Sequence, residues 1–245
     1  MQHESLAITR LLNHLFAPAA TSLMNLVGVH PHDPAQPIND TFALELTVAA
    51  GLFLFFLVVR MTLSVEKPNP AQQMAEIIHE FVGGTASQII GHNYERFQAF
   101  VTCVFLFIII NNLLGLIPGI VTPTSSPVVP LGIAVCTFIY YHFYGLKEQG
   151  FIGYMKHFAG PIWWIAWLLF PIEIISHCAR VMSLTIRLYA NMFASDLVML
   201  VFFSLVPFAV PAVFLGLHAF VSLIQAYVFM LLAMIYLAEA TAHEH

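Results

Sequence analysis

Apolar residues run along this chain in stretches longer than a soluble core needs, and the breaks between them set its organisation. Residues 44–63, LELTVAAGLFLFFLVVRMTL, are almost wholly apolar and close to the ~20 residues that a membrane-spanning helix requires. Residues 97–117 and 131–146 predict a second and a third span. The second is stopped by Pro118 and the turn-rich PGIVTPTSSPVVP, the third by KEQG. Between the first two spans, residues 66–96 are polar enough to leave the bilayer core. There Met74, Ile77, Ile78 and Phe81 recur at helical spacing with Gln73, Glu76, His79 and Glu80 opposite, which predicts a helix lying in the interface plane. Upstream, Ile8, Leu11, Leu12 and Leu15 predict a short surface helix interrupted at Pro18 and followed by the polar linker HPHDPAQPIND.

The last two apolar stretches exceed the membrane. Residues 161–206 are nearly continuous; counted only from Pro171, the stretch would be roughly 50 Å long as a helix, against a hydrocarbon core ~30 Å thick. After a turn at Pro207 and Pro211, residues 212–241 repeat the excess at roughly 45 Å. Two such helices joined by a short turn are expected to tilt together. The predicted fold is an all-α integral membrane protein with about five membrane-crossing helices, two of them long, strongly inclined C-terminal helices, plus an interfacial amphipathic helix. A single membrane domain is expected over 1–245: an external N-terminal segment (1–41), the first span, interfacial helix and helical hairpin (42–160), and an inclined two-helix hairpin (161–245).

Composition agrees, with 60% hydrophobic and 9% charged residues and a mean hydropathy of +0.85. Eight Lys plus Arg stand against thirteen Asp plus Glu, a formal net charge of -5, so no nucleic-acid surface is expected. No GxxxxGK[ST] loop occurs, so nucleotide chemistry would belong to another chain and no cofactor is expected. Cys103, Cys136 and Cys178 share no metal-type spacing and read as small buried hydrophobes, and His30, His32 and Asp33 lack a fourth ligand, so no metal is expected. Arg60, Lys67 and Arg96 surround one loop and Lys147 and Lys156 another, while the loops near 118–130 and 206–211 carry no basic residue. The positive-inside rule makes the first two cytoplasmic, the N-terminus external and the C-terminus cytoplasmic. No basic segment followed by a short apolar run opens the sequence, so the spans are expected to direct insertion.

The inclined hairpin carries most of the polar residues set in apolar surroundings. At 100° per residue, Glu173, His177, Arg180, Arg187 and Asn191 share one stripe, and Asp196 lies about 180° from Arg187 and roughly 13 Å along the axis. His218, Ser222, Gln225, Tyr236 and Glu239 share a stripe on the last helix. Arg180 near a segment end reads as snorkelling, helix packing or function, and Asn191 and Gln225 as path residues or interhelical glue. Asn111 and Asn112 line a vestibule or cap the turn. A central arginine costs about 2.5 to 3.5 kcal/mol on insertion scales, so Arg187 points to an ion path or a partner's counter-charge. Asp196 and His218 can titrate and join it. A secondary transporter would show a second copy of the Arg187 segment, which the sequence lacks, and a structural anchor would have no use for these charges.

SLTIRLYANMFASD, residues 183–196, resembles the SLxxRLxxNxxAGE signature of subunit a of the F-type ATP synthase membrane sector. LHAFVSLIQAYVFMLLAMIYLAEA resembles that family's last helix, with His218 and Gln225 seven apart, and Glu173 matches an acidic family position fourteen residues before Arg187. The order of features fits over essentially the whole chain. The resemblance implies a non-catalytic, static subunit beside a rotating c-subunit ring, together with a b-subunit peripheral stalk, the remaining synthase subunits and membrane lipid. It implies two offset half-channels, with Arg187 as the essential arginine that blocks leakage. Asn191, Asp196, His218 and Gln225 would form the external half-channel and Glu173 part of the cytoplasmic one. Asn112 matches a polar family position, and His177, Ser183, Ser222, Tyr236 and Glu239 are candidates for further path lining. A bacterial cytoplasmic (inner) membrane is expected over an organelle inner membrane. Two departures stand out: the signature's Gly-Glu is Ser195-Asp196, and the acid sometimes found near Gly115 is missing. Sodium-driven members make a sodium path the alternative to a proton path.

Overall fold

The structure is a computed structural model that describes residues 7–26, 37–91, 93–117, 120–159, 166–205 and 209–241. In order come α1 (Ala7–Leu26), α2 (Asp40–Met61), α3 (Pro70–Ile89), α4 (Glu95–Leu114), a single 3-10 turn (Pro123–Ser125), α5 (Val128–Ala159), α6 (Ala166–Leu205) and α7 (Ala209–Thr241). No strand occurs among the described residues, and five helices, α2 and α4 to α7, carry segments long and apolar enough to cross a membrane. The chain is an all-α membrane protein. His30, His32 and Asp33, Pro118, the start of the fourth apolar stretch at 161–165 and much of the turn expected at 206–211 lie outside the described residues.

Each element follows from its local chemistry, though not every boundary falls where the sequence alone placed it. Pro18 does not interrupt α1, which runs through it for 20 residues. Proline removes only the donor that would meet the His14 carbonyl, and past it the hydroxyls of Thr21 and Ser22 donate to the carbonyls of Ala17 and Pro18 within the continuing helix. Reciprocal hydrogen bonds between Asn13 and the backbone of Ile38 then hold α1 against the start of α2. The third span ends at KEQG, as its sequence predicts: Gly150, the last residue of that stretch, has a φ of 71° and a ψ of 162°, open to glycine, and breaks α5 into two helical pieces. Lys147 and Glu148 are good helix formers, and Arg96 fixes that end by pairing with Glu148 at 3.0 Å while its guanidinium lies 4.5 Å from the Tyr144 ring centroid. Pro171 lies inside α6 and does not start it, because the apolar run continues on both sides.

The amphipathic helix is α3, and it docks by a face that apolar periodicity does not mark. Met74, Ile77 and Phe81 stay exposed, as an interfacial helix requires, while Val82, Gly83 and Ala86 are buried and the helix packs on α4. Gln98 of α4 closes that contact by donating to the His79 carbonyl at 2.6 Å.

The core lies between α4, α5, α6 and α7, with α4 against α7 and α5 against α6. Phe97, Val101 and Ile108 of α4 meet Leu188 and Met192 of α6 and Phe229, Met230 and Met234 of α7, all fully buried. Outer faces stay apolar: Phe53 is 68% exposed and Leu200 74%. Cys103, Cys136 and Cys178 are free thiols exposed on these outer faces, contrary to the expected burial. Where the surrounding solvent is lipid, as apolar as a leucine side chain, a small hydrophobe gains little by turning inward.

Candidate functional site

The buried and half-buried polar groups of the hairpin divide into two clusters at opposite ends, because α6 and α7 pack together and run antiparallel. By helix rise, His177 and Asp196 are about 28 Å apart along α6, close to the thickness of a hydrocarbon core.

The first cluster joins the C-terminal half of α6, the N-terminal half of α7, the end of α4 and the 3-10 turn. His218, fully buried, has Nδ1 2.6 Å from Ser195 Oγ and 3.8 Å from Asp196 Oδ1, and Nε2 3.2 Å from the Asn112 carbonyl oxygen. Thr122 donates to Asp196 Oδ1 at 2.8 Å, and Thr124 donates to Asn112 Oδ1 at 2.6 Å. Gly115 permits this convergence, since a Cβ there would stand 1.9 Å from Thr122 Oγ1 and 3.0 Å from His218 Nε2. The space a side chain at 115 would take is therefore filled by a threonine hydroxyl from the following turn. Asn112 Nδ2 and Asp196 Oδ2 are buried without a hydrogen-bond partner among the described residues, as is Asn111 Oδ1. Such atoms cost about 1 to 3 kcal/mol each unless water meets them, so the cluster has the chemistry of a hydrated recess.

Next along the hairpin, Asn191 donates to Gln225 Oε1 at 2.8 Å, and Ser222, fully buried, points its hydroxyl at Met192 Sδ, 3.9 Å away. Arg187 is half-buried and donates to Ser183 Oγ at 3.2 Å, one turn back on its own helix. It makes no ion pair among the described residues.

The second cluster surrounds a cavity lined by residues of α5, α6 and α7. Arg180 donates two hydrogen bonds to Glu239, at 2.6 and 2.9 Å, with its guanidinium 5.0 Å from the Tyr236 ring centroid. His177 has Nε2 3.4 Å from Glu173 Oε1 and Nδ1 3.0 Å from the Tyr141 hydroxyl. Gln149 donates to the Ala240 carbonyl at 3.1 Å. Beyond the Gly150 break, burial pushes the Tyr154 phenol up to about 12, so it stands in the cavity wall as a neutral hydroxyl. Arg180 is thus a helix-to-helix clamp, one of the readings its sequence position left open.

Every residue expected from the sequence to line a path falls in or between these clusters. Glu173, His177, Tyr236 and Glu239 come together at one end, Asn112, Asp196 and His218 at the other, with Ser183, Arg187, Asn191, Ser222 and Gln225 between. Sequence reasoning missed Thr122, Thr124, Ser195 and Tyr141. Thr122 meets Asp196 across 74 positions, a pairing that no local pattern announces.

A family model described as ATP synthase A chain matches residues 41–238. The chain belongs to that family. The ATP synthase subunit a of Koribacter versatilis (strain Ellin345) is 51% identical over 245 residues, the whole of both chains. The ATP synthase subunit a of Solibacter usitatus (strain Ellin6076) is 43% identical over 235 residues, 96% of this chain and 100% of its own. That of Geobacter sp. (strain M21) is 38% identical over 220 residues, 89% of this chain and 94% of its own. Membership of the ATP synthase A chain family assigns the protein to ATP synthesis and ion transport in a membrane.

Proposed function

We propose that the chain is the static proton-conducting subunit of a rotary ATP synthase, working against a ring of c subunits and held by a b-subunit stalk. The observation that carries this reading is Arg187: half-buried, unpaired with any acid of the described residues, and set between two polar clusters that apolar packing keeps apart. The cluster of Asn112, Asp196 and His218 is the external half-channel, continued by Asn191 and Gln225. The cluster of Glu173, His177, Tyr236 and Glu239 is the half-channel to the cytoplasm.

Guanidinium stays protonated at physiological pH, so Arg187 cannot pass a proton on. It favours the ionised form of a partner carboxylate that comes within ~4 to 6 Å. That carboxylate gives up its proton toward Glu173, rotates on, is reprotonated from the Asp196 side, and returns to lipid as a neutral acid whose burial costs far less than a carboxylate's. Leu184, Leu188 and Met192 of α6 and Phe229, Met230 and Met234 of α7 fill the space between the clusters with buried apolar side chains. Each proton crossing 100 mV supplies about 2.3 kcal/mol.

Protons are the ion we infer because His218 stands beside Asp196 in the external cluster, and an imidazole can take up a proton and pass it on. The purified complex in liposomes is expected to acidify their lumen on ATP addition equally well in sodium-free and sodium-containing buffer. An absolute requirement for sodium would overturn the proton reading. The orientation set by the basic loops has its own check. Reporter fusions are expected to place the N-terminus outside and the C-terminus in the cytoplasm of a bacterial inner membrane, and an external C-terminus would reverse the two half-channels.

A further inference from the structure

His218 is held in one tautomer, and the group that faces its free nitrogen is a serine. Nε2 lies 3.2 Å from the Asn112 carbonyl, which can only accept, so Nε2 carries a hydrogen and Nδ1 is the basic nitrogen of the neutral ring. At 2.6 Å from Nδ1, the Ser195 hydroxyl must then be the donor. The titratable group that faces Nδ1 is Asp196 of α6, with Oδ1 at 3.8 Å. The groups approaching from α4 and from the 3-10 turn, Asn112 and Thr122, are uncharged.

Ser195 also has a second place for its hydrogen. Hydroxyls inside helices commonly donate to the carbonyl four residues back, as those of Thr137, Thr185 and Thr241 do here at 2.8 to 2.9 Å. For Ser195 that carbonyl belongs to Asn191, the residue that bonds Gln225 on the way inward.

The geometry points to Ser195 as a positioning residue of the external half-channel, its hydroxyl donating to His218 Nδ1 while the ring is neutral and turning to the Asn191 carbonyl when Nδ1 takes up a proton. This inference rests on the proton path proposed above. The incoming proton forms an Nδ1–H bond with the ring's lone pair, the imidazolium charge is matched by ionised Asp196, and Ser195 keeps its own O–H bond throughout. When Nδ1 passes the proton inward, the hydroxyl returns. Because the hydroxyl steadies the neutral ring and Asp196 the charged one, deleting the hydroxyl leaves a ring that holds its proton more tightly.

The test uses the intact complex in liposomes, with ATP synthesis driven at a fixed potassium–valinomycin potential while the pH on the proton-uptake side is varied. In Ser195→Ala the midpoint of the pH–rate profile is expected to move up by about half to one unit, the size of one hydrogen bond's net worth. In Ser195→Thr, which restores the hydroxyl, it is expected to return to the wild-type value, with both variants fully assembled on native gels. An unmoved midpoint in Ser195→Ala, or an equal shift in Ser195→Thr, would overturn the role of the hydroxyl. His218→Ala separates this failure from a deeper one: if it too leaves rate and profile unchanged, the proton path itself is wrong.

Discussion

Vesicles carrying the complex with Arg187→Ala are expected to lose ATP-driven proton pumping to background while the complex still assembles. Assembly survives because, among the described residues, Arg187 donates to Ser183 on the same helix and makes no ion pair, so its removal breaks no hydrogen bond or salt bridge between helices. Pumping fails because an adjacent arginine lowers a carboxylate's pKa by about 1 to 3 units, and without it a passing carboxylate keeps its proton about 10- to 1000-fold more tightly. The second loss is insulation: without the fixed positive charge, the exposed surface around Asn191 and Ser183 no longer repels a proton moving straight between the clusters. Passive proton conduction through the mutant complex is therefore expected to persist or rise as pumping vanishes. Pumping at the normal rate would remove Arg187 from the mechanism.

The next largest effect is expected from Asp196→Ala. This change removes the acceptor of the Thr122 hydrogen bond and the acid 3.8 Å from His218 Nδ1. Losing one hydrogen bond to the turn costs about 1 kcal/mol, too little to prevent assembly. The pumping rate is expected to fall roughly tenfold, short of the hundredfold or more that deleting a general acid or base costs, because His218 and water remain to carry the proton. Replacing His218 with glutamate in the same background returns a carboxylate to the cluster and is expected to restore part of the rate. A pumping rate unchanged by Asp196→Ala would take Asp196 out of the path.

The sequence announced the spans because the bilayer imposes a length and a composition that apolar runs cannot hide; residues 44–63 and 97–117 fall almost on α2 and α4. It announced the two helical stripes for the same reason that it announced Arg187: a polar group in lipid is costly enough to be conspicuous. What stayed hidden was whatever depends on contact between distant segments. Nothing in VTPTSSP says that Thr122 turns back beneath Gly115 to reach Asp196. The buried face of α3, with Gly83 pressed by Gln98, is a small-residue face, and hydrophobic periodicity is blind to it. KEQG does end the third span, at Gly150, but nothing local in it announces the partners that Arg96 and Ala240 supply there. The cysteines misled for a different reason. Burial statistics drawn from water-soluble proteins fail where both sides of the surface are apolar.

The apolar filling between the two clusters also bears on how such a machine can be built in a living membrane. On the proposed reading, the chain holds two dead-end recesses, and the connecting step is made by a moving part on another molecule. A copy that reaches the bilayer before its ring arrives therefore leaves the membrane voltage intact, and a complex still without its ring fails silent instead of short-circuiting the cell.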